Sequence, residues 1–278
     1  MSGRLAWGLR EGSPDDVRVD APVLAGVTPE WAWGGSTGEG VRVCILDSGV
    51  EPDHPLVGAV DESYVVIRGD DGLRVEPTDP GDLCGHGTAC AGIVRSVAPG
   101  CRLVSLRVLG ETFSGTGDTL LAGLSWAVEQ GFDVLNLSLS TTRRAYLEQL
   151  HDLADDAYFG GTLLVASAHN SPVESYPWRF SSVISVGSHH LADGELLLYN
   201  PRPPVEFFAQ GQDVDVAWLA GGRRRTTGNS FAAPRVAGCA ARILAKHPGL
   251  TPFQVKSVLY QTAANVRPGG RAQNGGPA

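Results

Sequence analysis

Long apolar runs are missing from this sequence. No stretch approaches the roughly 18 apolar residues that a membrane-spanning helix needs, and the opening Met1-Ser2-Gly3-Arg4-Leu5 leads into no apolar segment of signal-peptide length. A cytoplasmic protein with no membrane partner is therefore expected. Positive charge is scarce as well: 22 Lys and Arg against 30 Asp and Glu leave a formal net charge of -8. Basic clusters occur only locally, at Arg143-Arg144 and Arg223-Arg224-Arg225, so a nucleic acid is not expected as a partner. The five cysteines are odd in number and form no pair of Cys-x-x-Cys knuckles, so reduced thiols are expected. Cys84, His86 and Cys90 could be drawn as part of a metal site, but a fourth ligand is missing and His86 has a better use. No metal and no cofactor are expected, and no internal repeat is present.

What remains is the composition of an ordinary globular protein, 42% apolar and 19% charged over 278 residues, enough for one large domain. Residues 1–38, rich in Gly, Pro and charge with scattered Trp, read as an N-terminal arm wrapping the surface. Residues 39–265 read as the domain itself, and the Gly-rich segment 266–278 as a flexible tail.

Within the domain, Val41-Arg42-Val43-Cys44-Ile45-Leu46 has the continuous apolar character of a buried parallel strand, which places Asp47 at its carboxyl end. Helical spacing follows over 118–130 with Gly131 as a stop, then a strand over 133–139, a helix over 143–159 and a strand over 162–167. Pro234 suits the first turn of a helix running to about Lys246, and Thr251-Pro252 caps a last helix to about Ala263. Strand and helix alternate, which predicts an α/β fold with active groups at the carboxyl ends of parallel strands.

Three segments carry chemistry: Asp47-Ser48-Gly49, Gly85-His86-Gly87-Thr88 and Gly228-Asn229-Ser230-Phe231-Ala232-Ala233-Pro234. Singly each has a structural explanation, as a turn, a helix cap and a helix start. Together they supply an acid, a base and a nucleophile in the order Asp, His, Ser, one of the known solutions for serine hydrolases. On these residues the chain resembles the subtilisin-like serine proteases, the subtilases, over about residues 38 to 263. The resemblance implies a three-layer α/β fold with a mostly parallel central sheet and helices on both faces. It also implies a serine endopeptidase acting on peptide or protein substrates.

It assigns catalysis to Asp47, His86 and Ser230, with Asn170 as the side-chain donor to the oxyanion and the Ser230 amide as the second donor. Substrate is expected along Ser114-Gly115-Thr116, read as a strand, and along Ser138-Leu139-Ser140, with Gly228 beside the nucleophile. Several positions depart from the family pattern. His169 stands for a glycine before the oxyanion Asn, Asn229 and Phe231 for Thr and Met, and Ser140 and Thr141 for glycines at the pocket edge. These hydroxyls should narrow or polarise the pocket, His169 could crowd its loop, and Phe231 should pack inward. The link after the helix that begins at His86 is too short for the calcium loop of many secreted relatives. Arg223-Arg224-Arg225 suggests either a preference for acidic residues on the leaving-group side or a solvated face. A peptide-binding protein without activity, and an enzyme passing its acyl group to an amine, use the same residues and stay open at this level.

Overall fold

A computed structural model of the chain describes residues 26–266. All but the first residue of the expected tail and most of the expected arm lie outside the described residues. Helix α1 (Pro29–Trp33), capped by the Thr28 hydroxyl, leads to strand β1 (Arg42–Asp47) and the short β2 (Gly49–Val50). Then come the hairpin β3 (Glu62–Gly69) and β4 (Gly72–Pro77), the short β5 (Gly81–Asp82) and helix α2 (His86–Val97). Strand β6 (Arg102–Arg107), helix α3 (Gly117–Glu129), strand β7 (Val134–Leu137), helix α4 (Leu147–Gly160) and strand β8 (Leu163–Ser167) continue the alternation. The remainder comprises β9 (Ile184–His189), β10 (Leu198–Tyr199), β11 (Phe207–Gln210), the hairpin β12 (Val214–Trp218) and β13 (Gly222–Thr226), and helices α5 (Ala233–Lys246) and α6 (Pro252–Thr262).

Nine strands form one sheet in the order β10-β11-β9-β8-β7-β1-β6-β3-β4. Every pairing from β11 to β3 is parallel, and only the two edge strands run antiparallel. Strand β1 shows why its sequence is apolar without a break. Val43 and Ile45 enter the core cluster shared with α2, α5 and α6, whereas Cys44 and Leu46 enter the one shared with α3 and α4. Side chains alternate across a strand, so a strand covered on both faces must be apolar at every position.

The chain winds from β1 to β6 and β3 on one side and to β7, β8 and β9 on the other. Beyond the carboxyl ends of β1 and β7 it therefore leaves the crevice that such a switch of direction creates. Among the described residues no helix is long and apolar enough to cross a membrane. All five cysteines are unpaired, and Cys84 alone is not buried.

Residues 26–38, the described part of the expected arm, do more than cover the surface: Ala32 and Trp33 lie inside the core. Helix α1 is too short to satisfy all of its carbonyls, and basic groups at the end of α5 donate to several of them. Arg242 donates to the Trp33 carbonyl, Lys246 to those of Glu30 and Gly34, and His247 meets that of Trp31.

Candidate active site

Asp47 ends β1, and His86 opens α2. The two elements can approach because Gly87 faces Gly49 without a side chain; a Cβ at Gly87 would strike the Gly49 carbonyl oxygen. His86 Nδ1 lies 2.9 Å from both carboxylate oxygens of Asp47. The Ser48 amide also donates to Asp47 Oδ1 at 2.8 Å. Asp47 is fully buried and His86 is 7% exposed. Burial opposes charge on the imidazole, but the Asp47 carboxylate outweighs it, so His86 titrates well above the ordinary 6.5.

A second carboxylate braces this pair. Asp82 Oδ1 accepts from the Ser48 hydroxyl at 2.7 Å and from the amides of Cys84 and Gly85 at 3.0 and 2.9 Å. Its Oδ2 accepts from the amide and hydroxyl of Thr88 at 2.8 and 2.6 Å. Asp82 thus satisfies donors at the start of α2, where a helix leaves its first amides free, and ties that start to the loop carrying Asp47.

Ser230 lies in a single 3-10 turn, Asn229–Phe231, and α5 begins only at Ala233. Gly228 is extended there (φ 174°), so the backbone itself needs no glycine. A Cβ there would come to 3.2 Å from the Ser230 hydroxyl, a tight contact that would press on the nucleophile. Phe231 packs inward as expected, against Ala89, Ile93, Val214 and Val216. The Ser230 carbonyl accepts from the Ser138 hydroxyl at 2.8 Å. Among the described residues, the Ser230 hydroxyl and His86 form no hydrogen bond within 3.5 Å. Such contacts often tighten only when substrate binds.

Asn170 Oδ1 accepts from the Asn229 amide at 2.9 Å. An amide hydrogen can meet only the oxygen, and among the described residues the Asn170 Nδ2 donor at the cavity wall has no partner. Asn229 is itself a brace. Its Oδ1 accepts from the amide and hydroxyl of Ser188, both at 2.9 Å, and its Nδ2 donates to the carbonyls of Ala168 and His169. His169 does not crowd Asn170, because its Nδ1 turns back to accept from the Ser171 amide at 2.9 Å.

A cavity of about 350 Å³ opens beside Ser230. Ser138, Leu139, Ser140 and Thr141 line it on one side, Ser114, Gly115 and Thr116 on another, and Ala168 to Asn170 on a third. Among the described residues no Asp, Glu, Lys or Arg lines it, and Ser138, Ser140 and Thr141 add hydroxyls to a wall that Leu109, Leu120 and Leu139 also form. Ser114-Gly115-Thr116 is irregular rather than the expected strand. The Ser114 carbonyl accepts from Gly110, and Thr116 is taken up as the N-cap of α3. Gly228 lies buried beside the nucleophile without lining this cavity.

The arginine run lies on β13 and is largely neutralised. Arg223 pairs with Asp215, Arg225 with Asp213, and Arg224 stacks over Trp218. Among the described residues one group has metal-ligand proximity, and it is Asp47, His86 and Cys90, without Cys84. The Cys90 sulfur lies 3.8 Å from both Asp47 Oδ2 and His86 Nδ1, and burial pushes its thiol up, so it stays protonated at neutral pH. Two features of the site escaped the sequence reading. Asp82 ends the two-residue strand β5, too short to leave a periodic signal, and Phe113 is an aromatic in a Gly, Ser and Thr-rich turn, which was the available hint.

A model described as the subtilase family matches residues 38–276. The chain is 32% identical over 247 residues to subtilisin DY of Bacillus licheniformis, covering 84% of this chain and 86% of that one. It is 32% identical over 280 residues to an alkaline protease of Shouchella clausii, covering 96% and 66%. Among solved structures, a cold adapted subtilisin-like serine proteinase aligns with a TM-score of 0.64 at 29% identity, over 80% of this chain and 82% of that one. A lanthipeptide protease aligns with a TM-score of 0.65 at 24% identity over 80% of each chain, a likeness of fold.

Proposed function

The chain belongs to the subtilase family and is a serine endopeptidase, and from that premise we propose that it cleaves peptide bonds through an acyl-enzyme formed on Ser230. In this reading the Ser230 hydroxyl attacks the scissile carbonyl while neutral His86 takes its proton at Nε2. Asp47 fixes the imidazole with its Nδ1 proton inward and stabilises the charge that forms. The free Nδ2 of Asn170 and the Ser230 amide receive the oxyanion. His86 then returns the proton to the leaving amine, and water repeats the sequence to release the acyl group.

The observation that carries this reading is the buried carboxylate–imidazole pair at 2.9 Å, positioned beside a serine at the mouth of a cavity that Asn170 also lines. The test is covalent labelling of Ser230 by a fluorophosphonate, together with a peptide-library digest read by mass spectrometry and Ser230→Ala as blank. Labelling with cleavage supports the roles assigned. A folded wild-type chain that neither labels nor cleaves overturns them.

We place the activity on a specific peptide in the cytoplasm. Five unpaired cysteines suit a reducing compartment. Recovery of the active protein only from the culture medium would refute this location.

A further inference from the structure

Between β6 and α3 the chain makes a tight turn, closed by the Gly110 amide on the Ser114 carbonyl at 2.9 Å and the Phe113 amide on the Gly110 carbonyl at 3.1 Å. At its tip Phe113 holds a φ of 52°, in the left-handed region that a bulky side chain rarely adopts. The ring does not fold into the core; it is 44% exposed. It lies against His86, with ring centroids 4.2 Å apart and planes inclined by 50°, and it also lines the cavity beside Ser230. The surrounding residues, Gly110-Glu111-Thr112 and Ser114-Gly115-Thr116, are small or polar. An unfavourable backbone conformation at an exposed aromatic thus coincides with a wall built over the base.

We propose that Phe113 determines specificity for the substrate residue immediately N-terminal to the one whose carbonyl is attacked, and restricts it to small side chains such as Gly, Ala and Ser. The assignment rests on the triad reading above. An acyl segment that reaches Ser230 in extended form and sends one side chain into the cavity must send the preceding side chain the opposite way, because side chains alternate along a strand. Among the described residues His86 does not line the cavity, so that direction is the side of His86, and the Phe113 ring that lies against it already stands there. A small residue passes beneath the ring, whereas a branched or aromatic one meets it.

The experiment compares kcat/KM for matched fluorogenic peptides carrying Ala or Leu at that position, in wild type, Phe113→Ala and Phe113→Leu. Wild type is expected to favour Ala by about ten-fold or more, the scale on which steric pockets discriminate. Phe113→Ala is expected to cut that ratio by about ten-fold, with Phe113→Leu between the two. A wild type that accepts Leu as well as Ala, or a ratio unchanged in Phe113→Ala, overturns the assignment. Fluorophosphonate labelling of each protein separates the two levels: labelling with an unchanged ratio refutes the role of Phe113 alone, whereas a wild type that never labels removes the triad reading and this assignment together.

Discussion

The acid–base half of the site and its nucleophile–oxyanion half are built on opposite plans. Asp47 and His86 are buried, bonded to each other, and locked through Ser48 to the five hydrogen bonds that Asp82 accepts. Asn170 is exposed and held through one oxygen, and the brace that orients it, Asn229, bonds mostly to backbone, in β9 and in the loop after β8. The first half must settle tautomer and charge before substrate arrives, and buried, fully bonded groups do this best. The second half must keep a hydroxyl and an amide hydrogen unspent for the substrate, so its supports grip from behind.

Breaking the first half should produce the largest effect. Asp47→Asn keeps the shape but loses the charge and the tautomer control, and kcat/KM should fall on the order of 10⁴-fold. Wild-type kcat/KM should rise as pH passes upward through the raised His86 value, since the neutral ring is the base, and the midpoint should lie above 6.5. In Asp47→Asn that midpoint should move down. Stability follows the same group with the opposite sense. The pair's contribution is fully present below the unfolded imidazole value of about 6.5 and is lost as pH rises through the folded one. Urea melts across this range check it.

On the other half, Asn170→Ala should lower kcat by about 10²- to 10³-fold while KM changes little, because the free Nδ2 binds the transition state rather than the substrate. Steady-state kinetics decide it. The two braces sharpen the comparison further. Asp82→Ala leaves amides at the start of α2 without an acceptor and should cost about 2 kcal/mol of stability, seen in denaturant melts, together with a fall in kcat. Asn229→Ala should cost less, about 1 kcal/mol, because its partners lie nearer to water. Its kcat loss should track that of Asn170→Ala, and an effect on KM alone would refute the bracing role.

Much of the frame could be read beforehand. Strands β1, β7 and β8 are buried on both faces and so are mostly apolar, with buried Asn136 the one polar position inside β7, while α3, α5 and α6 carry helical spacing with caps or prolines at their starts. Hairpin β12–β13 escaped notice because half of it is exposed and its arginines resemble a loop charge run until Asp213 and Asp215 face them. Ser114-Gly115-Thr116 was misread as a strand because Thr116 serves α3 as a cap, a contact that a local pattern of small residues does not announce.

By itself the sequence determined which chemical groups are available and in what order, together with the secondary elements that end or begin at them, because periodicity and capping act over a few neighbouring residues. Only the tertiary structure decided that Asp47 and His86, 39 positions apart, touch, that Asn170 is turned by an amide 59 positions away, and that Phe113 covers the base. Those arrangements depend on how layers pack and loops close around the sheet, and side-chain hydrogen bonds across such distances leave no repeating mark along the chain.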